Sequence, residues 1–129
     1  MEAKAQISLE FMIIIGFFLF LFTAFFIAIQ YNMEDEIFKN RNLAVKQTAS
    51  FVQNEINLAS KASEGYSRVF NIPVKINGMD YDINIVNEMV YLRAGNGKHS
   101  IALPVQAVQG DLVIGENRIK KEEGVVYVN

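Results

Sequence analysis

The chain has no cysteine and no tryptophan, a single histidine and only two prolines. Without thiols it can hold neither a disulfide framework nor a thiolate metal site, so stability has to come from packing. The one histidine, His99, abuts an Asn96-Gly97 turn and reads as a solvated loop residue. Positive charge is scarce too: 12 Lys and Arg against 14 Asp and Glu give a net charge of −2. No basic cluster with interleaved aromatics occurs, and nucleic acid is excluded as a partner. Catalysis needs a convergent polar constellation, and the candidates are thin. Asp80 and Asp82 alternate onto a solvent face, Glu34-Asp35-Glu36 reads as a solvated run, and neither has the spacing of a calcium loop. Gly95-Asn96-Gly97-Lys98 lacks the full spacing and the following helix of a phosphate loop, and reads as a hairpin turn. No enzyme, metal site or cofactor is expected.

What the chain does have is one long apolar run. Seven of its ten phenylalanines lie between Phe11 and Phe26, and from Phe11 to Ile29 no side chain can ionise. At 1.5 Å per residue such a helix matches the hydrocarbon core of a bilayer, roughly 30 Å. Apolar residues surround it on every side, so each face needs lipid or another helix. The segment after it, Gln30-Tyr31-Asn32-Met33-Glu34, carries no small-residue cleavage site, which disfavours an ordinary secretory signal. Lys4 before the run and the acids at 34–36 after it favour a cytoplasmic N-terminus.

From Gln30 to Glu64 there is neither Pro nor Gly. Ile37, Ala44, Phe51 and Leu58, with Phe38, Val45, Val52 and Ala59 beside them, predict that the helix continues as an amphipathic one. Asp35 and Lys39 support its polar side, and Gly65 is a suitable stop after Glu64. The remaining residues, 66–129, are too few to bury a large core alone and should rest on that helix. Their turns set a register. Alternation over Phe70–Ile76 and Met79–Ile85 across Asn77-Gly78 predicts a hairpin with Ile76 opposite Met79, Val74 opposite Tyr81 and Ile72 opposite Ile83. Pro73 makes its first strand an edge. Asn87-Glu88 then sets Ile85 opposite Val90 and Ile83 opposite Leu92, and Asn96-Gly97 sets Leu92 opposite Ile101 and Val90 opposite Leu103. Less regular strands are expected around Leu112–Ile114, Asn117–Ile119 and Val125–Val128, separated by Gly115 and by residues 120–124. The fold class is α+β: a long N-terminal helix, half apolar and half amphipathic, with a C-terminal antiparallel meander packed on the amphipathic half.

The start of the chain resembles a family. Lys4-Ala5-Gln6-Ile7-Ser8-Leu9-Glu10-Phe11, a short charged leader followed by Q-x-S-x-E-F and the apolar run, looks like the class III signal peptide of archaeal type IV pilins. The resemblance implies a pilin-like fold and cleavage between Ala5 and Gln6 by a prepilin peptidase on the cytoplasmic side. Many relatives have Gly where this chain has Ala5. The segments are then a leader (1–5), a transmembrane and filament-core helix (6–29), an amphipathic helix (30–65) and a β domain (66–129). The implied partners are other copies of the chain in a helical filament, the membrane assembly machinery, and lipid before assembly. The implied role is adhesion or surface attachment. No N-x-S/T sequon occurs, so heavy N-glycosylation is not expected.

Glu10 is the informative residue of the motif. A carboxylate in the bilayer centre costs roughly 2.5 kcal/mol or more, less near its edge, unless it finds a partner. A cut before Gln6 would supply an α-ammonium four residues away, or in a neighbouring subunit, and fix the axial register of packed helices. If Gln6 cyclises to pyroglutamate, only a hydrogen bond is left. A plainer reading makes Ser8 the N-cap and Glu10 a first-turn acid favoured by the helix dipole. Phe11, Phe18, Phe22 and Phe25 offer large contact area between helices, and Gly16, with Thr23, Ala24 and Ala28, permits close approach. A membrane-anchored extracellular β-domain, uncut and acting as a binding or accessory module, is the alternative.

Overall fold

The computed structural model describes residues 2–129. Helix α1 spans Glu2–Lys61, and seven strands follow it: β1 (Ser67–Ile72), β2 (Tyr81–Val86), β3 (Met89–Ala94), β4 (His99–Pro104), β5 (Val108–Gly110), β6 (Gly115–Glu122) and β7 (Val125–Val128). This is an α+β fold, a long N-terminal helix followed by mostly antiparallel sheet. The chain divides into two compact units, one ending at Phe38 and the other covering Lys39–Asn129.

The helix begins earlier than the expected cap at Ser8. Residues 2–7 contain no Pro or Gly and are good helix formers, and Glu2 lies in the first turn where the dipole favours an acid. Ser8 is therefore an interior residue, and the reading of it as the N-cap is overturned. The helix also stops sooner, at Lys61 rather than Glu64. Its last carbonyls are taken by a strand: the Lys121 ammonium donates to the Ser60 oxygen at 2.8 Å and the Ala62 oxygen at 2.9 Å. Gly65 then reverses the chain at φ +82°, where its N–H donates to the Lys121 carbonyl.

Within the second unit, α1 buries Val45, Ala49, Val52, Ile56 and Ala59 against both sheets. The row Ala44, Phe51, Leu58 shares this burial only at Ala44, which is half-buried against the core; Phe51 meets Phe70 edge-on, with centroids 6.1 Å apart, and Leu58 is exposed. One residue is about 100° around the helix, so the row 44, 51, 58 lies well to the side of the stripe that Val45, Ala49, Val52, Ile56 and Ala59 turn to the core.

The three-stranded sheet β2-β3-β4 is an antiparallel meander. Its register is the expected one, with Ile83↔Leu92, Ile85↔Val90, Leu92↔Ile101 and Val90↔Leu103. The turns that set it carry left-handed residues, Asn87 and Glu88 at φ +51° and +59°, then Asn96 and Gly97 at +56° and +87°.

The expected hairpin between the first two strands is not formed. Asn77-Gly78 does turn the chain, and Ile76 and Met79 exchange two backbone hydrogen bonds, but the pairing ends there. Val74 is exposed, and β1 pairs instead with β6, Ile72 facing Gly115 and Phe70 facing Asn117. Pro73 has no N–H to extend a ladder, so β1 ends before it and finds a full-length partner in the eight-residue β6. The second sheet has the order β1-β6-β7-β5, with β5 parallel to β7. Segment 112–114, expected as a strand, is irregular, and Lys120 to Glu122 complete β6, leaving Glu123-Gly124 as the turn.

Tyr81 closes the gap where the expected hairpin opens. Its ring is buried and its hydroxyl donates to the Pro73 carbonyl. Burial pushes the phenol up from 10.0 to about 12. Between these values the folded state keeps a proton that the unfolded chain has lost, so stability falls as pH rises. Denaturant unfolding should show a stability constant up to pH 10 with respect to this group, declining towards pH 12. Tyr81→Phe should lower stability at pH 8 by about 1 kcal/mol and flatten that alkaline decline. An undiminished decline in the variant would assign it to other groups.

Candidate functional site

The N-terminal unit is a helix with no covering. Its apolar span passes the length and hydropathy test for crossing a membrane, and none of that window is buried within the chain. The chain therefore carries a candidate membrane anchor. Phe11, Phe18, Phe22 and Phe25 are all more than 60% exposed. Their spacing of seven, four and three residues, at about 100° per residue, puts them within about 60° of one another on one side of the helix. With Ile15, Leu19 and Leu21, the last three of them line a furrow of about 520 Å³. Gly16 and Thr23, seven residues apart, lie on the far side, and a Cβ built at Gly16 meets nothing within 4 Å. The Thr23 hydroxyl is spent on the Leu19 carbonyl at 2.8 Å, which leaves its methyl outward and no donor bare to lipid. The four phenylalanines are thus gathered on one side, a periodicity that the composition of the run hides, while Phe20, 70% exposed, stands on the far side between Gly16 and Thr23, four residues from one and three from the other.

At the head of this helix the Gln6 amide donates to a Glu10 carboxylate oxygen at 3.4 Å, both side chains exposed. The spacing i, i+4 places them on one face one turn apart. Ala5 and Gln6 themselves lie in helical backbone. Comparison of the chain with family models, curated proteins and solved structures returns no match.

In the second unit the structure moves His99 from the expected solvated loop to the interior. It opens β4, is 2% exposed, and its Nδ1 donates to the Asn42 side-chain oxygen at 2.5 Å. The signal was present in the register: Ala94 pairs with His99, two residues along from Leu92 and Ile101 on the same inward face. Asp80 and Asp82 are exposed as expected, Asp80 within 3.4 Å of the Lys75 ammonium. Among the described residues no group of three or more His, Asp or Glu is placed to hold a metal ion.

Two buried polar residues escape a reading by hydrophobic pattern. Glu55 is inside, its Oε2 3.5 Å from Arg68 Nε of β1 and without a hydrogen bond. This ties helix to sheet by charge at a position that helical periodicity assigns to the polar flank. Asn117, fully buried, accepts from the Val113 N–H at 2.9 Å and the Asn129 amide at 2.9 Å, and donates to the carbonyls of Val113 at 2.7 Å and Gly115 at 3.0 Å. Asn129 in turn bonds Arg118 and Asp111, so the last residue is pinned to β6 and to the segment before it. These contacts brace the domain and leave its outer faces free.

Proposed function

We propose that the chain is the structural subunit of an archaeal type IV pilus-like surface filament. It is inserted in the membrane as a precursor, cut by a prepilin peptidase between Ala5 and Gln6, and assembled through its N-terminal apolar helix, with a role in adhesion or surface attachment. The observation that carries this reading is the uncovered apolar helix headed by the Gln6–Glu10 pair. A plain anchor needs no carboxylate at its entrance, whereas an assembling helix can use one. A cut before Gln6 frees an α-amine close to Glu10, and neutralising that charge favours transfer of the helix from lipid into a bundle. The ridge of Phe11, Phe18, Phe22 and Phe25 then packs against another face of the apolar helix of a neighbouring copy, a heterologous contact that propagates.

The intact mass and N-terminal peptide of the protein in membranes and in sheared surface material test this directly. A chain beginning at Gln6 in the sheared fraction is expected. Glu10→Ala should leave the precursor abundant in membranes and reduce filament yield by about tenfold or more, equivalent to about 1.4 kcal/mol per subunit added. Wild-type filament yield from that variant would remove the pairing role of Glu10. A second reading, an uncut anchor bearing an extracellular binding domain, is favoured by one observation: the helix runs from Glu2 without a break through the bond to be cut. It requires a chain still beginning at Met1 and confined to membranes.

A further inference from the structure

We propose that the solvent face of the β2-β3-β4 sheet is a binding site for a neutral glycan, with Tyr91 as its stacking platform. Strand alternation builds the face in cross-strand rows. Asp82, Arg93 and Ser100 form one row, and Asn84, Tyr91 and Ala102 the next. All six are exposed and line a hollow of about 790 Å³, within the range of about 300–1,000 Å³ typical of small-ligand sites. The hollow has a residue-level cause. Ser100 and Ala102 on β4 are small, so the sheet surface drops beside the larger Tyr91 and Arg93 of the central strand.

The chemistry of the lining selects the ligand. Asp82 and Arg93 are direct cross-strand neighbours of opposite charge, so the row has no net charge and favours neither an anion nor a cation. Neither closes on the other: the ion pairs among the described residues are Glu55–Arg68, Lys75–Asp80 and Lys120–Glu122. With Asn84 they present a carboxylate acceptor, a guanidinium fork and an amide that offers both functions, all turned to solvent. A sugar ring matches this set, since each hydroxyl both donates and accepts while the C–H face of the ring is apolar and lies flat on an aromatic one. Tyr91, 43% exposed, stands in the middle of the face, its hydroxyl 3.7 Å from the Met89 sulfur, and no ring among the described residues stacks on it. A protein partner fits less well, because interface cores are depleted of charged residues and this face carries Asp82 and Arg93.

This site gives the attachment role above a ligand class and rests on that reading only for its setting, because the sheet face is complete in one subunit. Weak sites repeated along a filament would bind a polysaccharide by avidity. The test is calorimetric titration of the full chain, solubilised in a detergent without a sugar headgroup, with cellohexaose and with maltohexaose. Saturable binding of at least one is expected, with Kd on the order of 1 mM or tighter. Tyr91→Ala should weaken it about tenfold or more and Tyr91→Phe by less than about threefold, with unchanged thermal unfolding in both, since the side chain is on the surface. Lack of saturation by either hexasaccharide, or Tyr91→Ala binding like wild type, overturns the proposal. So does a self-association, seen by sedimentation, that Tyr91→Ala abolishes, because the face would then belong to a second copy. Normal filaments without glycan binding remove the site alone, and binding by a chain that never polymerises removes the filament reading alone.

Discussion

Gly110→Ala is expected to lower the stability of the second unit by about 4 kcal/mol, enough to shift its thermal midpoint by about 15 °C or more. Gly110 ends β5 at φ +102°, beyond the left-handed region open to most side chains, and a Cβ there would sit 1.9 Å from the Val128 carbonyl oxygen. That oxygen cannot retreat, because β7 is held on both sides, in parallel by β5 and in antiparallel register by β6, where Val128 faces Ile119. Backbone conformation and close approach both oppose the methyl group. Gly115→Ala separates the two, for it has the same kind of φ, +105°, with nothing within 4 Å of the added carbon. It should cost only the conformational part, about 1–3 kcal/mol. Equal losses at the two positions would show that the Val128 contact relaxes freely.

The same strand marks where the sequence stops being readable. The register of β2, β3 and β4 was legible, because Asn87-Glu88 and Asn96-Gly97 fix two tight turns and alternation fixes the face, but not that β2 starts only at Tyr81 or that β4 starts at His99. Their contacts are local, and local patterns encode them. The pairing of β1 with β6 and of β5 with β7 joins segments far apart in the chain, and nothing in Val108-Gln109-Gly110 announces a strand. Asn77-Gly78 even argued for the wrong partner. It makes its turn, but Pro73 ends the strand that the turn was expected to pair, and the longer ladder on β6 wins. The helix was legible from the absence of breakers, but not its start, because a serine in a good capping context competes with the six helix formers before it.

The candidate site divides in the same way. Glu10 stands out because a carboxylate at the mouth of an apolar helix is costly, an argument that needs only one residue and its neighbours. The aromatic ridge needs the helical periodicity, and the rows on the solvent face of the meander need the strand register; both follow once the elements are right. Glu55 and Asn117 were invisible to hydrophobic pattern, since they are polar residues at buried positions and their partners lie elsewhere in the chain. A buried polar residue is recognised by the groups it satisfies, and those appear only with the fold.

Asn117→Ala should therefore cost about as much as the Gly110 substitution, about 4 kcal/mol, although it removes few atoms. The side chain at 117 serves four groups: Val113 through both its N–H and its carbonyl, the Gly115 carbonyl and the Asn129 amide. Truncation leaves partly buried backbone groups without partners, each worth about 1–3 kcal/mol, and takes from Asn129 one of its bonds to β6, leaving the two to Arg118. Hydrogen exchange should then rise first at Val113 and at the end of β7, before the meander opens, because β2-β3-β4 shares none of these bonds. Asn117→Asp keeps the shape and sharpens the argument. Its carboxylate can still accept from Val113 and Asn129 but cannot donate to the two carbonyls, and burial disfavours its charge. The folded state then takes up a proton more readily than the unfolded chain, so this variant should gain stability as pH falls through the raised carboxyl pKa. The parent should show no such gain from this position. A flat profile in Asn117→Asp would mean that the site admits water, and with it that the four bonds of Asn117 contribute far less than their burial implies.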